Sequence, residues 1–467
     1  MAHKRRLGWM TVAAGLIVSA AAHAVNDGQA ASLEEQVGAM RAELQQLRED
    51  NARMQGEIDE LHAATNDNWL TEQRAEEIRE LVADVLADSD LRASHLQNGL
   101  TAGWSEHFFL ASPDGRFKLQ LQGEMQVRWL YSYHDAPDKH RQGFEHSRVK
   151  LTFRGHVFNP DLQYYIRGLF AREGGFGLMD SWIQYRLNND WQLRIGQFKL
   201  PYTREELVSS TKQLAVERSL TNENLNVGRS EGIMFTYAAD DWKFMVATHD
   251  GGEDNLGGYG SLAGTIGLNT PAMGEDVEWA VTMRYERLFA GNWQQFDDFT
   301  SPMNEEYGML WGAAGHMQQS ESTGTFTFVR DEPRWFACTT DLSVEWGGAN
   351  LFGAFYFSYN DHPDFGHFYI YSLLAQGGVY FTPKLEVFAR YQYGWWEFES
   401  QDFADLHTVE FGCNYYLDGH DLKWTTDIGF GIGRVEANWD NEPAGWRIDP
   451  NHSEPQIVFR TQLQLLF

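Results

Sequence analysis

Residues 455–467 read PQIVFRTQLQLLF. Ile457, Phe459, Thr461, Leu463, Leu465 and Phe467 share one parity, while Val458, Arg460, Gln462, Gln464 and Leu466 share the other. Successive side chains of a strand point to opposite faces, so this is a strand with one apolar and one mostly polar face. Two kinds of protein use such a strand: a soluble sandwich, and a barrel whose apolar face meets lipid. The rest of the sequence decides between them.

The period of two recurs from residue 117 onward. Leu119, Leu121, Met125, Val127, Trp129 and Tyr131 alternate with Gln120, Gln122, Glu124, Gln126 and Arg128; Leu385, Val387, Ala389, Tyr391 and Tyr393 alternate with Glu386, Arg390 and Gln392. About sixteen such segments can be read: 117–133, 146–158, 162–171, 178–188, 191–200, 230–238, 242–249, 277–289, 306–318, 333–347, 350–360, 366–382, 384–397, 404–418, 420–433 and 455–467. Tight turns such as NPD at 159–161, NND at 188–190, ADD at 239–241 and DGHD at 418–421 alternate with longer loops at 134–145, 201–229, 250–276, 319–332 and 434–454. A sandwich has no reason to alternate in this way, whereas an outer-membrane barrel has short periplasmic turns and long external loops. Residues 290–305 are the exception, long where a short turn is due. The expected fold is therefore an all-β transmembrane barrel of about 16 antiparallel strands, preceded by an α-helical coiled-coil segment. An even strand number puts both barrel ends on the periplasmic side, with Phe467 at the lower rim. The mean hydropathy of −0.47 fits this reading despite 14% aromatic residues, because only alternate residues face lipid.

Residues 1–24 carry a basic head (Lys4, Arg5, Arg6), a short apolar stretch and the small-x-small site Ala22-His23-Ala24, the pattern of a secretory signal peptide. Leu33, Met40, Leu47, Met54 and Leu61 then take d positions of a heptad repeat, and Val37, Leu44, Asn51 and Ile58 take a positions. A second amphipathic helix is expected from Thr71 to about Ala93. The division is thus 1–24 signal peptide, 25–103 periplasmic coiled coil and short helix, and 104–467 barrel. The formal net charge is −29, and removal of the leader makes it three more negative. Such acidity argues against nucleic acid as a partner. Cys338 and Cys413 share parity with apolar neighbours on non-adjacent segments, so two free, lipid-facing thiols are expected. The sequence has no G-x-S-x-G, H-E-x-x-H, Walker or C-x-x-C pattern, and DGGEDN at 250–255 lacks EF-hand spacing. Neither an enzyme nor a bound cofactor or metal is expected.

The stretch RIGQFKLPYTREELVSSTKQLAVERSLTNENLNVGRSEG, 194–232, resembles the phosphate-selective porin O and P family in RIGQFKLPY, REELVSS, ERSLTN and GRSEG, and so does SRVKLTFRGHVFNPDLQYYIR at 147–167. The resemblance implies a trimeric, water-filled channel of sixteen strands, narrowed by a third external loop that folds into the lumen. Inward parity on the second to fifth strands offers Arg148, Lys150, Arg154, Arg167, Arg186 and Arg194 as a cationic wall. In the loop, Lys199, Arg204, Lys212, Arg218 and Arg229 are balanced by Glu205, Glu206, Glu217, Glu223 and Glu231, so a phosphate trap and a general porin fit equally well. The expected partners are outer-membrane lipid, a homotrimer of this chain and small polar or anionic solutes. A second reading is mechanical, with the coiled coil holding the membrane to the cell wall.

Overall fold

The computed structural model describes residues 45–46, 49–50, 53, 56, 99–105, 107–134, 140–170, 175–252, 277–320, 334–362, 366–398, 401–432, 435, 439–447 and 456–467. The leader, every heptad a and d residue and the helix expected over 71–93 lie outside them. Gln45, Gln46, Glu49, Asp50, Arg53 and Gly56 are helical.

Two short strands come first, β1 (Thr101–Ser105) and β2 (His107–Ala111), paired as a hairpin. Sixteen strands follow: β3 (Lys118–Tyr133), β4 (His140–His156), β5 (Leu162–Phe170), β6 (Phe176–Arg186), β7 (Trp191–Lys199), β8 (Arg229–Ala238), β9 (Trp242–His249), β10 (Val277–Ala290), β11 (Gly308–Ser320), β12 (Arg334–Trp346), β13 (Ala349–His362), β14 (Gly366–Thr382), β15 (Leu385–Phe398), β16 (Gln401–Asp418), β17 (Leu422–Gly431) and β18 (Ile457–Leu466). Each is antiparallel to its neighbours, and β18 returns to β3 from Ile457 opposite Tyr133 to Leu466 opposite Glu124. The sheet closes on itself, which removes the free edges that would otherwise leave backbone groups unpaired in hydrocarbon.

The seam shows what Phe467 does. Its backbone exchanges two hydrogen bonds with Gly123, at 2.6 and 3.1 Å. Gly123 has no side chain, and a Cβ there would overlap the Phe467 ring. Beyond that point β2 takes over as the partner of β3, from Phe108 opposite Leu121 to Ala111 opposite Lys118. The ring is half-exposed on the outer face.

Alternation sorts the two faces. Leu351, Leu373, Phe411 and Trp424 point outward with about half their surface free, while their strand neighbours Phe352, Leu374, Glu410 and Lys423 are buried. An outward face of large apolar side chains over so many strands suits a bilayer, not water. Rings form rows at its two borders. Near the short-turn end, Trp191, Tyr237, Trp242, Tyr285 and Trp311 touch in succession across β7 to β11, with centroids 5.0, 4.7, 5.9 and 6.0 Å apart. Toward the other end, Phe357 meets Tyr371 and Tyr359 meets Tyr369, both at 5.2 Å. Amphipathic rings collect where hydrocarbon gives way to headgroups.

The connections differ from the expected alternation in one respect. At the end carrying the long loops, three connections are short: 171–175, 363–365 and 399–400. Strands β13 to β16 run on through 14 to 18 residues instead, so pairing replaces loop there.

Cys338 lies on β12 and Cys413 on β16, each on the outward parity, and both are free. Mass spectrometry of the unreduced protein should find two thiols, which react with water-soluble maleimide only after unfolding. A Cys338–Cys413 bridge would contradict the strand order.

Candidate functional site

The connection between β7 and β8, residues 200–228, is built from three short capped turns. Helix α1 (Arg204–Leu207) is capped by Thr203, whose Oγ1 accepts from the Glu206 N–H at 3.2 Å. A 3-10 turn at Ser210–Lys212 follows Ser209, and helix α2 (Leu220–Leu225) is capped by Ser219, whose Oγ accepts from the Asn222 N–H at 2.9 Å. Each cap satisfies an amide that would otherwise be orphaned, typically stabilising by about 1 kcal/mol. Most of the segment is buried.

Burial is possible because wall side chains bond its backbone. Asn414 donates to the Leu214 carbonyl at 2.9 Å, Arg390 to that of Glu217 at 2.9 Å and Lys423 to that of Gln213 at 2.9 Å. The Val216 N–H donates to Asp427 at 2.9 Å and the Thr221 N–H to Gln392 at 3.2 Å. From β3 and β4, Arg128 and Arg148 both pair with Glu217, and Lys150 donates to Ser210 Oγ at 2.6 Å. The segment thus leaves the wall at β7, crosses the interior and bonds an arc of strands running from β12 through β18 to β4.

Apolar packing fills that arc. Leu214, Leu220 and Leu225 of the loop cluster with Phe352, Phe368, Leu374 and Trp396 of the wall, and with Trp439 and Trp446 from the connection between β17 and β18. Trp439 and Trp446 fit because Gly394 and Gly429 stand opposite; a Cβ on either would overlap an indole ring. A cavity of about 590 Å³ is found instead among side chains of β5 to β11 and the loop's first turn.

The sequence-derived site residues divide by partner. Glu217 engages Arg148, and Glu124 engages Lys150 at 2.9 Å. Asp180 engages Arg167 at 3.9 Å and Arg229 at 3.0 Å. Glu206 engages Lys199 at 3.5 Å, Arg218 at 3.2 Å and Arg229 at 3.4 Å. Burial alone would raise the Glu206 carboxyl, but Arg218, Lys199 and Arg229 outweigh it and hold the group at about 2. Glu223 is pushed up to about 7 by burial, with Arg218 opposing the shift. Arg204 bonds neutral groups: Ser343 Oγ at 2.8 Å and the Phe296 carbonyl at 2.7 Å. Glu231 sits at the start of β8, where its carbonyl accepts from Asp250. Lys212 is half-buried. Arg194 is held by Gln184 Oε1, at 3.0 and 2.7 Å, and lies 4.1 Å over the Trp182 ring. Arg154 has a buried Nε without a hydrogen-bond partner. Among the described residues, neither Arg154 nor Arg194 has a carboxylate within ion-pair distance.

Arg186 corrects the reading from parity. It has inward parity but sits at the end of β6, half-exposed and 3.5 Å from Asp161 of the neighbouring turn. It belongs to the short-turn rim. Parity fixes the face of a strand and not the height along it. Sequence reasoning also passed over Arg128, Arg284, Arg390 and Arg460, all fully or almost fully buried on inward parities. Their signal was an arginine on the polar parity of an alternating strand.

Residues 119–310 match the family model described as phosphate-selective porin O and P, which bears out the resemblance seen in 147–167 and 194–232. The structure is similar to in-vitro folded OmpT of Vibrio cholerae (TM-score 0.51, 10% identity, 75% of this chain and 98% of that one). It is also similar to an anion-selective porin from Comamonas acidovorans (TM-score 0.51, 13%, 75% and 99%) and to the outer membrane channel DcaP of Acinetobacter baumannii (TM-score 0.50, 11%, 78% and 100%). At these identities the likeness is one of fold. An uncharacterized protein of Aquifex aeolicus is 23% identical over 304 residues, 59% of this chain, and the match spans 64% of that relative's length.

Breaking a buried ion pair typically costs about 3–5 kcal/mol, because the surviving charge is left uncompensated. Glu217→Gln removes the carboxylate shared by Arg128 and Arg148. The variant should still form the barrel, but trypsin should cut within 200–228 at least tenfold faster than in the parent. An unchanged cleavage rate would show that the backbone bonds alone hold the loop.

Proposed function

We propose that the protein is an outer-membrane porin through which small polar or anionic solutes diffuse passively, its water-filled channel narrowed by residues 200–228. The observation that carries this reading is the course of that segment, anchored by charges across the interior of a closed barrel while a cavity persists beside it. The apolar outer face and its two rows of rings suit outer-membrane lipid, and the signal-like leader is consistent with export. In this reading the short turns and the preceding helical residues are periplasmic. The family resemblance and the heptads at 33–61 favour a homotrimer, since three barrels in one membrane share an orientation and can supply three parallel helices. The same heptads favour a second role, holding the membrane to the cell wall, which can coexist with conduction. The acidic chain leaves no reason to expect nucleic acid.

The channel should prefer anions mildly. Charges within a few ångströms of the narrowest point set selectivity, while those on outer loops are screened beyond about 8–10 Å at physiological salt. Most cations near the loop are neutralised by acids of the loop or of the wall, and Arg154, Arg194 and Lys243 are left to bias the path. Arg154→Gln with Arg194→Gln should move the reversal potential in a salt gradient toward cation preference at near-normal conductance. An unmoved potential would make both arginines structural.

A further inference from the structure

The connection between β10 and β11, residues 291–307, is far longer than its neighbours at the short-turn end, which have two to five residues. It folds inward. Phe296 and Phe299 are buried, Phe299 packs on Phe352 with centroids 4.8 Å apart, and Asp298 lies 3.3 Å from His420 in the turn between β16 and β17. It also meets residues 200–228: the Phe296 and Asp298 carbonyls accept from Arg204 at 2.7 and 3.3 Å. Two segments from opposite ends of the barrel are thus joined inside it.

The cavity of about 590 Å³ lies where they meet the β5–β11 wall, within the roughly 300–1,000 Å³ usual for small-molecule sites. Tyr165 and Trp182 present parallel rings 5.0 Å apart, with Arg194 over the indole. Trp293, from the inward-folded connection, lies under the Lys243 ammonium at 3.7 Å. The neighbouring acids Asp180 and Glu286 are taken by Arg229 at 3.0 Å and Arg284 at 2.8 Å. Arg194 and Lys243 have no ion-pair partner among the described residues, and Asp297, exposed at the border, has none either. Arg204 also lines the cavity with no carboxylate partner among the described residues, but its guanidinium is already taken by Ser343 Oγ and the Phe296 and Asp298 carbonyls. The lining therefore offers a ligand aromatic side chains, the two cations Arg194 and Lys243, and one acid. That balance suits a single negative charge on a flat body better than a compact, multiply charged oxyanion.

We infer that this cavity is a binding site for small aromatic monocarboxylates on their way through the barrel, with the ring against Trp182 and Trp293 and the carboxylate toward Arg194 and Lys243. The inference rests on the porin reading for its place in transport, but not for the binding itself. It gives residues 291–307 a role that a turn would not need: they supply the second aromatic wall.

Two experiments on the full chain separate the questions. In planar bilayers, benzoate should reduce the open-channel current with a half-blocking concentration at least tenfold below those of acetate and inorganic phosphate. Trp293→Ala, outside the barrel strands, should raise the benzoate value about tenfold, and so should Trp182→Ala. Calorimetric titration of the detergent-folded chain with benzoate should show the same ranking without any need for conduction. Equal potency of benzoate and acetate, tighter block by phosphate, or a Trp293→Ala channel blocked like the parent would overturn the inference. Benzoate binding by a chain that inserts and does not conduct would sink the porin reading and leave the site standing.

Discussion

Charges that face into a closed barrel have to be paired or wetted, and this constraint organises the interior. Arg128, Arg148, Arg390 and Arg460 all stand on inward parities within one arc of the wall. A single loop carboxylate, Glu217, engages two of them, while Glu410 of β16 takes Arg390 at 2.8 Å and Arg460 at 2.5 Å. The Glu217 carbonyl accepts from Arg390 at 2.9 Å, while Arg128 and Arg460 donate to the Pro443 and Ala444 carbonyls of the connection between β17 and β18. Removing Glu217 would leave Arg148 without its carboxylate and Arg128 with Glu145 alone among the described residues, so wall and loop hold each other. With 200–228 fixed against that arc, apolar packing can form around it, and the open cavity is left beside β5–β11.

The outer face obeys the opposite rule. In hydrocarbon every backbone polar group must be satisfied within the sheet, and closure of β18 on β3 does this without an edge. The side chains that complete the outer face are those a soluble protein would hide. One backbone therefore serves two solvents through the period of two, with Phe411 outward beside Glu410 inward as its simplest instance.

Much of this could be read in the sequence, and for a physical reason. Strand alternation is a local pattern, so all sixteen barrel strands were visible, as were the outward cysteines and the inward parity of Arg148, Lys150 and Arg154. The height of a residue along a strand depends on register and tilt, which no local pattern contains, so Arg186 was misplaced among the lumen residues. Partners across the barrel are also hidden. Nothing near Glu217 announces Arg128, 89 residues away. Residues 290–305 stood out by length, but their inward course is fixed by Arg204 and His420, both distant in the chain. The resemblance to phosphate-selective porins drew attention to residues 194–232, though not to how Glu206 gathers Lys199, Arg218 and Arg229 while Glu205 and Glu217 are taken by arginines of the wall.

The central claim is that a conducting path remains beside the anchored loop. Single-channel recording of the purified full chain in planar bilayers tests it most directly. The account predicts discrete, ohmic current steps in potassium chloride with a mild anion preference in a salt gradient. Protein that inserts as a folded barrel and gives no steps would contradict it, and would mean that residues 200–228 and 291–307 together seal the lumen.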